Sequence, residues 1–117
     1  MTNERIIRNY FSNWAKKDWN AVEGALADGF VFTSPFDDQI DKRTYQQKCW
    51  PHAEEVERYD VDKVIENGSE AFVRYQCWMK DGKSIRCTEY FKFINGKIAE
   101  IDVFWGGSQG VKEYTPC

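Results

Sequence analysis

Residues 70–105 read EAFVRYQCWMKDGKSIRCTEYFKFINGKIAEIDVFW. β-branched and aromatic residues at period two predict three long strands, over residues 70–80, 84–94 and 97–105. Asp81-Gly82 and Asn95-Gly96 are turn dipeptides, so the three strands join as antiparallel hairpins. Register decides which side chains share a face. A two-residue loop at Asp81-Gly82 would mix polar and apolar residues on both faces. A three-residue loop, Asp81-Gly82-Lys83, sets Ala71 opposite Phe93, Val73 opposite Phe91, Tyr75 opposite Glu89 and Met79 opposite Ile85. Its counterpart Asn95-Gly96-Lys97 sets Phe91 opposite Ile101 and Glu89 opposite Val103. This register gathers the apolar residues on one concave face that carries a single carboxylate, Glu89.

Upstream of the meander, residues 59–66 form a further strand that ends at Asn67-Gly68. The first half of the chain has helical period instead. Ile6, Ile7, Tyr10, Phe11 and Trp14 make one apolar stripe over residues 3–17. Asp18 reads as the N-cap of a second helix through Val22, Ala25 and Leu26, stopped at Gly29. Residues 30–34 are a short β-rich run that Pro35 stops, and residues 37–40 read as a polar loop. Asp41 caps a third helix, residues 42–50, that Pro51 breaks; a further helical turn is expected over residues 52–58. Helices first and a strand meander after predict an α+β fold, a cone-shaped curved antiparallel sheet wrapped around N-terminal helices. A length of 117 residues predicts one domain over residues 1–117, with an irregular tail from residue 107.

Composition narrows the function classes. The net charge is −3 and the basic residues are scattered, so there is no basic stripe for nucleic acid. No apolar run has the length of a signal peptide or a membrane span, which makes a cytoplasmic location the default. Cys49, Cys77, Cys87 and Cys117 match no zinc or redox spacing and read as reduced thiols. His52 is the single histidine, with no cluster beside it, so neither a metal nor a cofactor is expected. Aromatic residues reach 16 %. That is more ring surface than a small core needs, and it points to an aromatic-lined cavity or a buried subunit contact.

Glu89 is the most informative residue. A lone carboxyl on an apolar face must be hydrogen-bonded, paired or neutral, and burial raises its pKa. It is a functional candidate on those grounds; the alternative is a Glu that bonds Tyr75 or Tyr10 and only shapes the core. The opposite face carries Phe72, Arg74, Trp78, Tyr90, Lys92, Ile94, Ile98 and Phe104, too many rings for a bare solvated sheet. A homodimer contact through that face is expected, with partial cover by the tail as the alternative.

The order of elements and several short motifs resemble the SnoaL-like and ketosteroid-isomerase-like branch of the nuclear transport factor 2-like superfamily. Residues 26–35, LADGFVFTSP, are similar to that group's passage from helix to first strand. Residues 88–106, from Thr88-Glu89-Tyr90 through Asn95-Gly96 to Trp105-Gly106, are similar to its closing hairpin. The resemblance implies an apolar pocket inside the cone and often a homodimer. Its members include polyketide-cyclising enzymes, steroid isomerases, dehydratases and proteins without known activity, so fold alone does not select a reaction. In the isomerases a helix-1 Tyr, matched by Tyr10, and a protonated acid on a late strand, matched by Glu89, donate to the substrate oxyanion. Trp105 matches a pocket Trp. The isomerases' general-base Asp is replaced here by Ser34, which cannot collect a carbon-bound proton without an adjacent base. Asp37 or Asp38 is placed to reach the mouth, although such loop carboxylates are usually solvated turn residues. The dehydratase-like relatives use a pocket His, for which His52 is the candidate.

Three readings follow. In the first, the protein is a cofactor-independent isomerase or lyase, with Tyr10 and Glu89 as hydrogen-bond donors and His52 or Asp37 moving a proton. In the second, it is a non-catalytic binder of a small apolar or aromatic molecule, its pocket lined by Trp14, Phe32, Ser34, Tyr75, Phe91, Val103 and Trp105. In the third, it is a dimeric interaction module whose cone is filled by its own side chains.

Overall fold

The computed structural model describes residues 1–109. Helix α1, Asn3–Ala15, starts where the Thr2 hydroxyl accepts the Arg5 amide at 3.1 Å. Its stripe of Ile6, Ile7, Tyr10, Phe11 and Trp14 is buried, as the spacing predicts. It stops two residues early because Lys17 turns left-handed, at φ 60°. The Lys17 ammonium then holds the Ala15 and Val56 carbonyls at 3.3 and 3.2 Å. Helix α2, Trp19–Gly24, is capped by Asp18, as expected, but ends well before Gly29. Leu26 already begins strand β1, Leu26–Ser34, and Gly29 lies inside that strand, in the irregular stretch between its paired residues Leu26 and Val31.

The stretch expected as a polar loop is strand β2, Asp37–Asp41, with Ile40 paired to Phe32. Its Asp-rich sequence has low strand propensity, but it lies at the sheet edge, where charge discourages further pairing. Asp41 caps α3, Lys42–Lys48, through the Thr44 amide at 2.9 Å. The helix ends before Trp50 because Pro51 disfavours α geometry in the residue before it. A 3₁₀ segment, Trp50–Glu55, takes over and hands the chain to β3, Val56–Asn67, so Glu57 and Arg58 are strand rather than helix.

Strands β4, Glu70–Met79, β5, Ser84–Ile94, and β6, Lys97–Gln109, complete one curved sheet in the order β2-β1-β6-β5-β4-β3. All neighbours are antiparallel except β1 and β6, which run parallel. The backbone of residues 107–109 continues β6 against Ser84 and Ile85, which corrects the irregular tail expected from residue 107. The rest of that tail, with Cys117, lies outside the described residues.

The β4–β5 register is shifted by two residues from the expected one. Ala71 faces Phe91, Val73 faces Glu89, Tyr75 faces Cys87 and Cys77 faces Ile85. Gly82, at φ 89°, is the third residue of a Lys80-Asp81-Gly82 loop rather than its centre, and the Met79 amide donates to the Lys83 carbonyl at 2.8 Å. A left-handed residue belongs at the end of such a loop. Because the shift is even, every side chain keeps its face. The β5–β6 pairs Phe91–Ile101 and Glu89–Val103 are as expected, reached by a different route. The turn is the two-residue Asn95-Gly96, with both residues left-handed, and Ala99 is then an extra residue between the pairs Phe93–Ile98 and Lys92–Glu100. That bulge flips parity, so Ile98 is fully buried and does not join the outer face as expected.

The core is a nest of rings between α1, α3 and the concave sheet. Tyr10, Phe11, Trp14, Phe30, Phe32, Tyr45, Tyr75 and Phe91 are each at most 3 % exposed.

Candidate functional site

Glu89 sits at the centre of the concave face and is 1 % exposed. Tyr75, one diagonal step away on β4, donates its hydroxyl to Glu89 Oε2. A phenol can span such a diagonal, which is why this bond survives the two-residue change of register. Glu89 Oε1 is buried and has no hydrogen-bond partner. Burial pushes the Glu89 carboxyl up to about 8, with the Tyr75 bond pulling weakly the other way. The side chain is thus a neutral acid at pH 7. With Oε2 accepting from Tyr75, the acid proton on Oε1 is available as a donor.

Tyr10 and Tyr45 form a second polar pair inside the rings, hydroxyl to hydroxyl. Whichever donates, the acceptor keeps its own proton for another partner. Burial raises both phenols well above their ordinary value; the Glu89 charge adds to the effect on Tyr10, and Tyr10 to that on Tyr45. Both are therefore neutral donors. Sequence reasoning found Tyr10 and missed Tyr45, although Tyr45 on α3 and Cys49 at its C-terminal cap lie four apart and are both fully buried. That spacing was the available signal.

Ser34 and Asp37 meet at the junction of β1 and β2. Ser34 points inward with Phe30 and Phe32. Its hydroxyl donates to Asp37 Oδ2 at 3.0 Å and accepts the Phe36 amide at 3.1 Å. Asp37 is 5 % exposed, a buried carboxylate rather than a solvated loop residue, and Lys48 of α3 pairs with its Oδ1. The carboxylate hydrogen bond raises the Lys48 ammonium. Ser34 thus lies against a carboxylate, that of Asp37, one of the residues the sequence offered for moving a proton. Lys48 carried no sequence signal beyond its place in the last turn of α3. Asp38 is exposed.

The remaining candidates divide by depth. Trp14, Phe32, Phe91 and Val103 are buried around the two phenols and Glu89. Trp105 faces inward beside Cys87 but is only half-buried, and its ring lies 6.4 Å from Phe36, itself 56 % exposed. These two rings mark the more open side of the cone, and Phe36 was not foreseen. His52 sits apart, on the 3₁₀ segment, with Nδ1 3.2 Å from Glu55 Oε2 at the surface. Two surface clefts also lie away from Glu89. One, of about 360 Å³, lies on the outer sheet face between Asp60, Asp62, Arg74 and Arg86; the other, of about 530 Å³, runs between α1 and β3 past Arg8 and Arg58. Among the described residues, no three His, Cys, Asp or Glu side chains converge as a metal ion requires.

No protein of curated function matches the chain. Solved structures of the same fold do. One is an NTF2-like protein of unknown function from Cytophaga hutchinsonii, 20 % identical, with a TM-score of 0.75 over 91 % of each chain. A proposed polyketide cyclase from Sinorhizobium meliloti is 18 % identical, with a TM-score of 0.72 over 86 % of this chain and 94 % of that one. A de novo designed protein with a curved β-sheet is 17 % identical, with a TM-score of 0.76 over 91 % of this chain and 88 % of its own. A fold that also serves as a design target has no activity written into its backbone, so function must be argued from the side chains. The family model that matches, a SnoaL-like domain, covers residues 7–101. With its N-terminal helices packed in a curved sheet, the chain shares the fold of the NTF2-like structure and belongs to the SnoaL-like domain family.

Proposed function

We propose that this protein binds a small apolar or aromatic carbonyl or phenol compound inside the cone and acts on it as a cofactor-independent isomerase- or lyase-type enzyme. Glu89 and Tyr10 are its hydrogen-bond donors. The observation that carries the reading is Glu89 Oε1, a buried acid oxygen with no partner. Leaving such a group unpaired costs about 1–3 kcal/mol, which a ligand oxygen accepting its proton would recover. Two neutral donors in a ring-lined, water-poor site stabilise negative charge developing on a carbonyl oxygen better than water does. The guest reaches them past Phe36 and Trp105, displacing ring contacts as it goes.

The test is a titration of intrinsic tryptophan fluorescence with a panel of phenols and aromatic ketones, from pH 6 to 9. Saturable binding should weaken as pH rises through about 8, because ionised Glu89 has no proton to donate. Glu89→Gln keeps a neutral amide donor and should bind with no step in that range. PH-independent binding in the wild type would remove Glu89 from the ligand.

A second copy of the chain is the proposed partner for the outer sheet face. Phe72, Ile94 and Phe104 are each at least 50 % exposed there, and Ile65 is 60 % exposed on the edge strand β3. Light scattering of wild type and Phe104→Glu should give twice the monomer mass and the monomer mass respectively. A monomeric wild type at micromolar concentration ends this proposal.

A further inference from the structure

We infer that Ser34, Asp37 and Lys48 form a proton-accepting site in which the Ser34 hydroxyl relays a substrate proton to the Asp37 carboxylate. This rests on the donor reading above and supplies the base that reading lacks.

The argument starts from the Ser34 oxygen. A hydroxyl has one proton and two lone pairs. The proton goes to Asp37 Oδ2 at 3.0 Å, and one lone pair takes the Phe36 amide at 3.1 Å. One lone pair is left, on a side chain that faces inward with Phe30 and Phe32. A serine alone is too weak a base for a carbon acid, but one already bonded to a carboxylate passes its proton on as it receives another. Lys48 is the positioning residue. Its ammonium holds Asp37 Oδ1, leaving Oδ2 turned to Ser34.

Two spans connect this group to Tyr45, the hydroxyl partner of Tyr10. Tyr45 and Lys48 are three residues apart on α3, about one helical turn, and Tyr45 is bonded to Tyr10. On β1, Phe32 packs 4.6 Å from the Tyr45 ring, and Ser34 is the next inward residue, about 7 Å along the strand. Ser34 and Lys48 are thus each one short step from Tyr45, whose hydroxyl bonds Tyr10.

The substrate class that fits is an apolar ketone with an acidic C–H beside its carbonyl. As that C–H bond breaks, its proton passes to the Ser34 oxygen and the Ser34 proton passes to Asp37 Oδ2. The electron pair left on carbon moves into the carbonyl, giving an enolate oxygen held by Glu89 and Tyr10. Return of a proton by the same route, to that carbon or a conjugated one, restores the Ser34 hydroxyl and the Asp37 carboxylate.

The probe is 2-indanone in deuterated buffer. Loss of its α-proton signal is followed by NMR and its binding by tryptophan fluorescence, for wild type, Ser34→Ala, Lys48→Met and Lys48→Arg. The wild type should exchange the α-protons well above the buffer rate. Ser34→Ala should lose at least tenfold in exchange while binding the ketone within about twofold. Lys48→Met should lower kcat severalfold with KM little changed, and Lys48→Arg should recover most of it. Ser34→Ala exchanging as fast as the wild type overturns the relay, and so does a wild type that binds 2-indanone without accelerating exchange, a result that leaves Glu89 and Tyr10 as ligand donors. A folded wild type that binds neither the ketone nor any phenol overturns both proposals.

Discussion

Replacing Glu89 by Gln should stabilise the protein, by an amount that depends on pH. Burial raises the Glu89 carboxyl to about 8 from an ordinary 4.5. Between those values the folded state holds a proton that the unfolded state has released, so folding stability falls as pH rises. The contribution is fully present below about 4.5, declines through the window and is lost above about 8. At about 1.4 kcal/mol per unit of pKa difference, the loss between pH 5 and pH 8 is roughly 3–4 kcal/mol. Glu89→Gln has no titrating group at this position. Its amide oxygen still accepts from Tyr75, and its volume is nearly unchanged. Urea denaturation of both proteins at pH 5.5, 7.0 and 8.5 isolates the effect, because the other titrating groups cancel in the difference. The variant should gain on the wild type at each step, with a thermal midpoint on the order of 10 °C above it at pH 8.5. A stability difference flat to within about 0.5 kcal/mol across this range would refute the assignment of Glu89 as a buried neutral acid.

Other expectations follow from single contacts. Tyr45→Phe removes one member of the buried hydroxyl pair with Tyr10 and should cost about 1–2 kcal/mol in urea denaturation, with a near-wild-type m-value. Gly82→Ala meets no steric obstacle, yet must adopt φ 89°, so it should cost about 1 kcal/mol or more. Deleting Ala99 removes the extra residue that turns Ile98 inward; exposing that side chain should cost at least about 2 kcal/mol and be visible as raised binding of a hydrophobic dye. Stability equal to the wild type in any one of these variants would refute the contact it tests.

The hairpins show which parts of the fold were legible in the sequence. Period two placed Ala71, Val73, Tyr75, Phe91 and Glu89 on one face, and that assignment survives a pairing error of two residues because parity is all the face depends on. An odd error would have turned Glu89 outward and hidden the site. The same reasoning failed at Ile98, since a bulge changes parity without any residue type that announces it. Strand β2 was missed because edge strands are made by pairing more than by propensity. Within the site, residues on strongly periodic elements were found: Tyr10 from the α1 stripe and Glu89 from its isolation on an apolar face. The group at the end of β1 was half found, because Ser34, Asp37 and Lys48 come from a turn and a short helix whose meeting is a tertiary event. The missing Asp at position 34 read as a lost base, since resemblance compares one position at a time. The folded chain has a carboxylate three residues later, buried and bonded to the serine that stands in its place. A carboxylate buried with a lysine partner carries a desolvation cost that a solvated turn would not impose. On the proposed relay that cost is offset by chemistry at the inward-facing Ser34, with Lys48 holding the carboxylate from α3, one turn from Tyr45.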